Sequence, residues 1–294
     1  MRVNPNIMPD LLASMNETLR QEQTAILQLA SGQRINRPSD DPAGAATLTR
    51  IQDRTSQADS FQRTMGDVQG QYQTADSTLS SVVLALDRAI SLGVQGATGT
   101  LSDSDRAALS GEVSGIRDQL LSLANVSYQG RYVFSGTAQV QPFVLDSSVA
   151  SGVRYDGNAG VNAVSIGNGY QLQFNVPGSQ VFAAPGADVF GAVTGLMNAL
   201  DSNSGIDAAV SAVRGAFDHI TSQRVFYGNA LNQIQSQQTY LNGEKLQLAQ
   251  QQDTVAATDM TATASQLVNA ENARQAALAA IGKVSQLSLF AYLQ

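Results

Sequence analysis

Proline sets the layout of this chain. Its seven prolines stand at 5, 9, 38, 42, 142, 177 and 185, which leaves 43–141 and 186–294 free of them. A proline inside a helix removes a hydrogen bond and clashes with the preceding turn, at a cost of about 3 kcal/mol. Long helices are therefore confined to those two stretches and to 10–37. Apolar spacing fills all three. Leu12, Met15, Leu19, Ile26 and Leu29 alternate at three and four residues, with Glu22 the one interruption, and Gly32 is a natural stop.

Asp41-Pro42 reads as a helix start: the carboxylate can accept from free amides, and proline suits the first helical position. From there Leu48, Ile51, Ala58, Met65, Tyr72, Leu79, Val83, Leu86 and Ile90 keep a seven-residue frame, interrupted by Gln62, Gln69 and Asp76. A helix over 43–93 would be about 75 Å long, a length that belongs to bundles and coiled coils. Gly96-Ala97-Thr98-Gly99 breaks the run, and Ser102 or Asp103 caps a further helix with Ile116, Leu120 and Leu123 inward. The second stretch behaves alike through Leu231, Ile234, Leu241, Leu248 and Val255. Past a weak point at Thr258-Asp259 it continues through Leu267, Ala270, Ala277, Ile281 and Val284.

The middle of the chain differs. Residues 138–190 are rich in glycine and β-branched residues, and Tyr170, Leu172, Phe174 and Val176 alternate with polar neighbours at the strand period. Asn168-Gly169 after Val164-Ser165-Ile166 signals a hairpin turn, and Asp156-Gly157 after Val153-Arg154-Tyr155 signals a second. The expected fold is mainly α with a β insert: a long antiparallel helical bundle or coiled coil built from both termini, with a small β domain inserted mid-chain. Three parts are expected. Residues 1–40 with 259–294 form a terminal coiled coil, 41–137 with 191–258 a helical rod, and 138–190 a β-rich insert.

Composition narrows the function. Charged residues make up 14%, against about 25% in ordinary globular proteins. Neutral polar surfaces can be buried against like surfaces without stranding charge, which favours a packed assembly. A net charge of −7 without a Lys/Arg run argues against nucleic acid. No cysteine is present, which removes disulfides and Cys-based metal sites. Neither a secretory signal nor about 18 consecutive apolar residues occurs, so no membrane insertion is expected. His219 is the single histidine and reads as structural. Ser102-Asp103-Ser104-Asp105 reads as a helix cap rather than a Ca²⁺ loop, and Gly167-Asn168-Gly169 precedes a strand rather than a phosphate-binding helix. No catalytic, cofactor or metal site is expected.

Leu29-Ala30-Ser31-Gly32-Gln33-Arg34-Ile35-Asn36-Arg37-Pro38-Ser39-Asp40-Asp41-Pro42-Ala43-Gly44-Ala45-Ala46 resembles the N-terminal signature of the flagellin superfamily. Asn272–Leu293, ending Leu287-Ser288-Leu289-Phe290-Ala291-Tyr292-Leu293, resembles the C-terminal one. That ending, with Tyr132-Val133-Phe134-Ser135-Gly136, is similar to the hook–filament junction branch; Ala291 stands where that branch usually has an acidic residue. The resemblance implies a structural flagellar subunit, not an enzyme, exported unfolded by the flagellar type III apparatus and ordered on assembly. Implied partners are a ring of copies of itself, hook-associated protein 1, flagellin, and a cytoplasmic export chaperone on the C-terminal helix. The expected location is extracellular, at the hook–filament junction. Filament flagellin, or a secreted coiled-coil adhesin whose β insert binds a ligand, are the alternatives. The expected assembly interface is Leu12, Met15, Leu19, Ile26 and Leu29 with Ile281, Val284, Leu287, Leu289, Phe290, Tyr292 and Leu293. Phe290 and Tyr292 either anchor a neighbour or close the protein's own bundle.

Overall fold

The computed structural model describes residues 7–167 and 169–292; the side chains of residue 7 and of 284–292 lie outside that description. Helices begin and end where local chemistry requires. α1 (Ile7–Ser31) stops at Gly32, whose φ of +69° is free of strain only without a Cβ. α2 (Pro42–Gly96) opens on proline, and Asp41 Oδ1 accepts the Gly44 amide at 2.9 Å. α3 (Asp103–Ala124) carries a reciprocal capping box between Ser102 and Asp105. After the short α4 (Gly178–Val181), α5 (Val189–Ser202) is capped by Asp188. α6 (Ile206–Ala256) and α7 (Met260–Tyr292) are separated at Ala257-Thr258-Asp259, the weak point expected from sequence.

Between α3 and α5 the chain forms four separate two-stranded antiparallel ribbons rather than one sheet. They pair β1 (Ser127–Tyr128) with β2 (Arg131–Tyr132), β3 (Phe143–Leu145) with β4 (Val153–Tyr155), β5 (Ala163–Gly167) with β6 (Tyr170–Gln173), and β7 (Ala183–Ala184) with β8 (Ala187–Asp188). The β5–β6 hairpin forms as expected; of its two turn residues Asn168 lies outside the described residues and Gly169 has φ +80°. Its strand ends at Gln173, short of Phe174 and Val176. Asp156-Gly157 is not a hairpin turn. β4 pairs backward onto β3, and the Asp156 amide continues that pairing by donating to the Pro142 carbonyl at 2.8 Å. The Asp156 carboxylate takes the Arg154 guanidinium at 2.6 Å, so the dipeptide ends a strand instead of joining two.

The chain divides into two compact units, Met1–Gln57 with Gly243–Gln294 and Ala58–Asn242. In the second unit α2 and α6 run antiparallel. The three polar residues that interrupt the α2 frame are the ones that bond across: Gln62 to Asn242 at 2.6 Å, Gln69 to Gln238 at 2.9 Å and Asp76 to Arg224 at 3.0 Å. Between them Tyr72 stacks edge-on against Tyr227 with centroids 5.2 Å apart, and its hydroxyl donates to the Gln173 carbonyl. Burial pushes both phenols upward in pKa, which keeps them neutral and Tyr72 a donor. By length and hydropathy α2 would pass for a membrane span. Its apolar residues Leu79, Val82, Leu86, Ala89 and Leu92 are instead buried in this core. An aromatic cluster closes the unit: Phe143 lies 5.0–5.4 Å from the rings of Tyr155, Phe182 and Phe190. Asn125, at the C-terminal end of α3, grips both the N–H and C=O of Phe143 at 2.9 and 2.8 Å.

The first unit is built on α1 packed antiparallel against α7. Met15, Glu22 and Leu29 face α7 together with Leu11, Thr18 and Ala25. From α7 come Thr263, Leu267, Ala270, Arg274, Ala277 and Ile281, again at three and four residues. Glu22 and Arg274 interrupt their frames at facing positions, with Arg274 Nε 2.9 Å from Glu22 Oε2. The N–H is not aligned on the oxygen, so the contact is an ion pair rather than a hydrogen bond.

Replacing Phe143 by Ala should cost about 3–5 kcal/mol, because the cluster around it cannot collapse into the void; urea unfolding followed by tyrosine fluorescence measures it. Glu22→Arg should loosen the seam by about 1–2 kcal/mol, less than a fully buried mismatch because Arg274 keeps some solvent. Adding Arg274→Glu should restore it. Amide exchange at Ala25–Leu29 in the full chain reads both outcomes.

Candidate assembly surface

The segment joining α1 to α2 is a folded connector. Its chemistry follows from its carboxylates and from Arg34. Asp40 Oδ2 accepts the Asn36 and Arg37 amides at 3.0 and 2.8 Å, closing a turn around Pro38. Arg34 is the hub. Its guanidinium donates to Asp41 Oδ2 at 3.0 Å and to the Val255 carbonyl at 3.2 Å, and its amide donates to the Ala256 carbonyl at 2.6 Å. Gln33 bridges Ala257, and the Thr258 amide donates to the Gly32 carbonyl at 3.1 Å. The two helix breaks, 32–41 and 257–259, are thus hydrogen-bonded to each other. Ile35 is buried, and a Cβ on Gly44 would come within 2.4 Å of its Cδ1, which explains a glycine inside the first turn of α2. The acidic pair Asp40-Asp41 is fully used by the connector and the cap.

The expected interface residues fall into two rows on α1. Met15 and Leu29 lie in the intramolecular seam. Leu12, Leu19 and Ile26 sit one residue further along than Leu11, Thr18 and Ala25, about 100° round the helix. They form a flanking row, with Leu12 43% and Ile26 47% exposed and Leu19 partly buried. Leu27 is exposed as well. On α7, Ile281 is partly buried beside the seam. Val284, Leu287, Leu289, Phe290 and Tyr292 lie on helical backbone with side chains outside the described residues, and Leu293 lies outside them altogether. Sequence reasoning missed Val268 and Leu278, each about half exposed on α7, because they are out of frame with the seam. It also missed that Glu22 and Arg274 answer one another; their matching interruptions of the two frames were the available signal.

The second motif is a packing device. Phe134 is buried edge-on against Phe182, with centroids 5.1 Å apart, and Ser135 Oγ donates to the Ala138 carbonyl at 2.7 Å. Gly136 has φ +73°, and a Cβ there would meet the Asn158 carbonyl oxygen at 2.1 Å, so no other residue fits. Tyr132 ends β2 half-buried. His219 contacts the Gln180 carbonyl at 2.9 Å through Nε2. No group of three or more metal-ligating side chains occurs among the described residues.

The Gly44 amide, and after it the Arg34 guanidinium, hold the Asp41 carboxyl below the usual carboxylate range. A depressed folded pKa stabilises above the unfolded value and is lost as pH falls through the folded one. Protection of the Gly44 amide against exchange should therefore hold through the ordinary Asp value of about 3.9 and fall only at lower pH. Asp41→Asn should abolish that pH dependence.

Residues 3–139 match the family described as the bacterial flagellin N-terminal helical region. The flagellar hook-associated protein 3 of Escherichia coli K12 is 26% identical over 285 residues, covering 90% of each chain. The flagellin of Listeria monocytogenes is 35% identical, but over 131 residues that make up 43% of this chain and 45% of that one. In fold, the flagellar junction protein FlgL of Legionella pneumophila superposes with a TM-score of 0.61 at 16% identity, covering 72% of this chain and all of that structure. Residues 3–139 thus resemble the flagellin N-terminal helical region, and over 90% of its length the chain is similar to a flagellar hook-associated protein 3.

Proposed function

We infer that the chain is a structural subunit of the bacterial flagellum, built into the junction between hook and filament. Coverage carries the reading: likeness to the hook-associated protein 3 of Escherichia coli runs through 90% of both chains, whereas likeness to flagellins reaches 43–53% of this chain. Its work is mechanical, the joining of two tubes, with no covalent chemistry. Copies of the chain form a ring, with hook-associated protein 1 on one side and flagellin on the other, after export through the type III apparatus. A cytoplasmic chaperone covers the C-terminal helix before export. In this reading 1–40 with 259–294 is the part that packs into the tube, 41–137 with 191–258 the rod, and 138–190 the outward insert.

The geometry supports a division of labour on α1. The seam row serves the fold of one chain. The flanking row of Leu12 and Ile26, joined by Leu27, leaves apolar surface for a neighbouring copy. Covering the exposed half of each such side chain would add about 1 kcal/mol per residue, repeated at every subunit of a ring. Neutral polar residues around it can be desolvated without stranding charge. Folding of the terminal helices and assembly then reinforce one another, since short helices are marginal without packing.

An epitope inserted at the exposed Ser147-Ser148 turn and imaged by immunogold on intact flagella should appear as one band at the hook tip. Label along the filament would replace the junction reading with the flagellin one. Ile26→Asp should cut incorporation and motility far more than Val164→Asp; equal defects of the two would remove the assembly role from the flanking row.

A further inference from the structure

A polar cavity of about 190 Å³ opens in the second unit, between α2 and the β insert. It is smaller than a drug-sized site of about 300–1,000 Å³ and takes one small ring. Gln71 from α2, Ser135 and Thr137 from the turn after β2, and Asn162 and Asn175 flanking the β5–β6 hairpin line it around the half-buried ring of Phe174. Burying amides and hydroxyls is costly unless they are bonded. Yet Gln71, Ser135 and Asn175 are three of the six buried polar residues of this unit, and all three face this one space.

Gln71 is the odd one among them. Asn175 is held, accepting from the Asn162 amide at 2.8 Å and donating to the Gly160 carbonyl at 2.9 Å, and Ser135 is held by Ala138. Gln71 is only 9% exposed as a residue, and its amide opens onto this space without a hydrogen-bond partner among the described residues. Its neighbour in the α2 frame, Gln69, is bonded to α6. A largely buried glutamine whose amide opens onto a cavity offers one donor and one acceptor to a small polar ligand.

We propose that this cavity is a binding site for a neutral sugar ring. The lining decides the class. No carboxylate faces the space, and its one cation, Arg131, sits exposed at the rim, so neither a cationic nor a strongly anionic ligand is matched. Amides offer a donor and an acceptor each, which suits hydroxyls that both give and receive. The Phe174 ring supplies the apolar wall against which the C–H face of a pyranose packs. The site is independent of the assembly surface on α1 and of the junction reading.

Saturation-transfer NMR on the full chain tests it, with D-glucose, D-galactose, D-mannose and N-acetyl-D-glucosamine each at millimolar concentration and acetamide as the amide control. At least one sugar should receive saturation. Gln71→Leu, close in size and apolar, should weaken that sugar at least fivefold with an unchanged melting temperature. Should that variant fold poorly, Asn162→Ala at the exposed rim should weaken it severalfold. No transfer to any sugar, equal transfer in the rim variant and the wild type, or transfer to acetamide alone would overturn the proposal, the last in favour of a polypeptide occupant.

Discussion

Antiparallel helices many turns long face one problem above others: a slip of one heptad preserves almost all apolar contact. In this chain polar residues placed in the apolar frames resolve it. Glu22 meets Arg274, Gln62 meets Asn242, Gln69 meets Gln238 and Asp76 meets Arg224. Each pair adds little net stability in its correct register. In a shifted register each would lose its partner and lie in part against apolar neighbours, a cost moderated by the solvent these groups keep. Polar residues at frame positions are known to fix register in this way. The connector gives a second, independent fix. Arg34 ties the end of α1 to the end of α6, so the two helix breaks fall side by side.

The same residues mark how far the sequence could be read. Proline placement, Asp41-Pro42, the cap at Ser102 and the break near Thr258 located the helices, because each acts within a turn of where it stands. The pairing of the α2 interruptions was not legible, since nothing in one helix names its partner 148 to 180 residues away. The α1 face was half legible. Leu12, Leu19 and Ile26 outrank Leu11, Thr18 and Ala25 in hydrophobicity, yet the smaller row packs inward with Met15, Glu22 and Leu29. Small side chains let two helices approach closely, an advantage that a hydrophobicity count does not register. In the insert, alternation found the β5–β6 hairpin but not the backward pairing of β4. There Arg154 of β4 pairs with Asp146 and Asp156, contacts to which alternation is blind.

The two units are held by different physics. Ala58–Asn242 has Tyr72, Phe134, Phe143, Phe182, Phe190 and Tyr227 all fully buried, each removing far more surface from water than any residue in the α1–α7 seam. That seam combines small residues, Thr18, Ala25, Thr263, Ala270 and Ala277, with partly buried Leu11, Met15, Leu29, Leu267 and Ile281 around the Glu22–Arg274 ion pair. Stability within one chain is rarely uniform, and regions with little buried apolar area open first.

In the proposed ring, a seam of this kind suits a subunit whose terminal helices are completed by neighbours. Were the flanking row Leu12, Leu19 and Ile26 the one turned inward, the isolated terminal pair would be better packed, and little apolar surface would remain for a neighbour. With Thr18 and Ala25 taking the inward positions beside them, Leu12 and Ile26 of α1 stay exposed. In the proposed ring, neighbours covering that row would share the free energy of ordering the terminal helices. A polymer whose subunits share that term gains cohesion from each added copy, while a lone copy in dilute solution gains none of it.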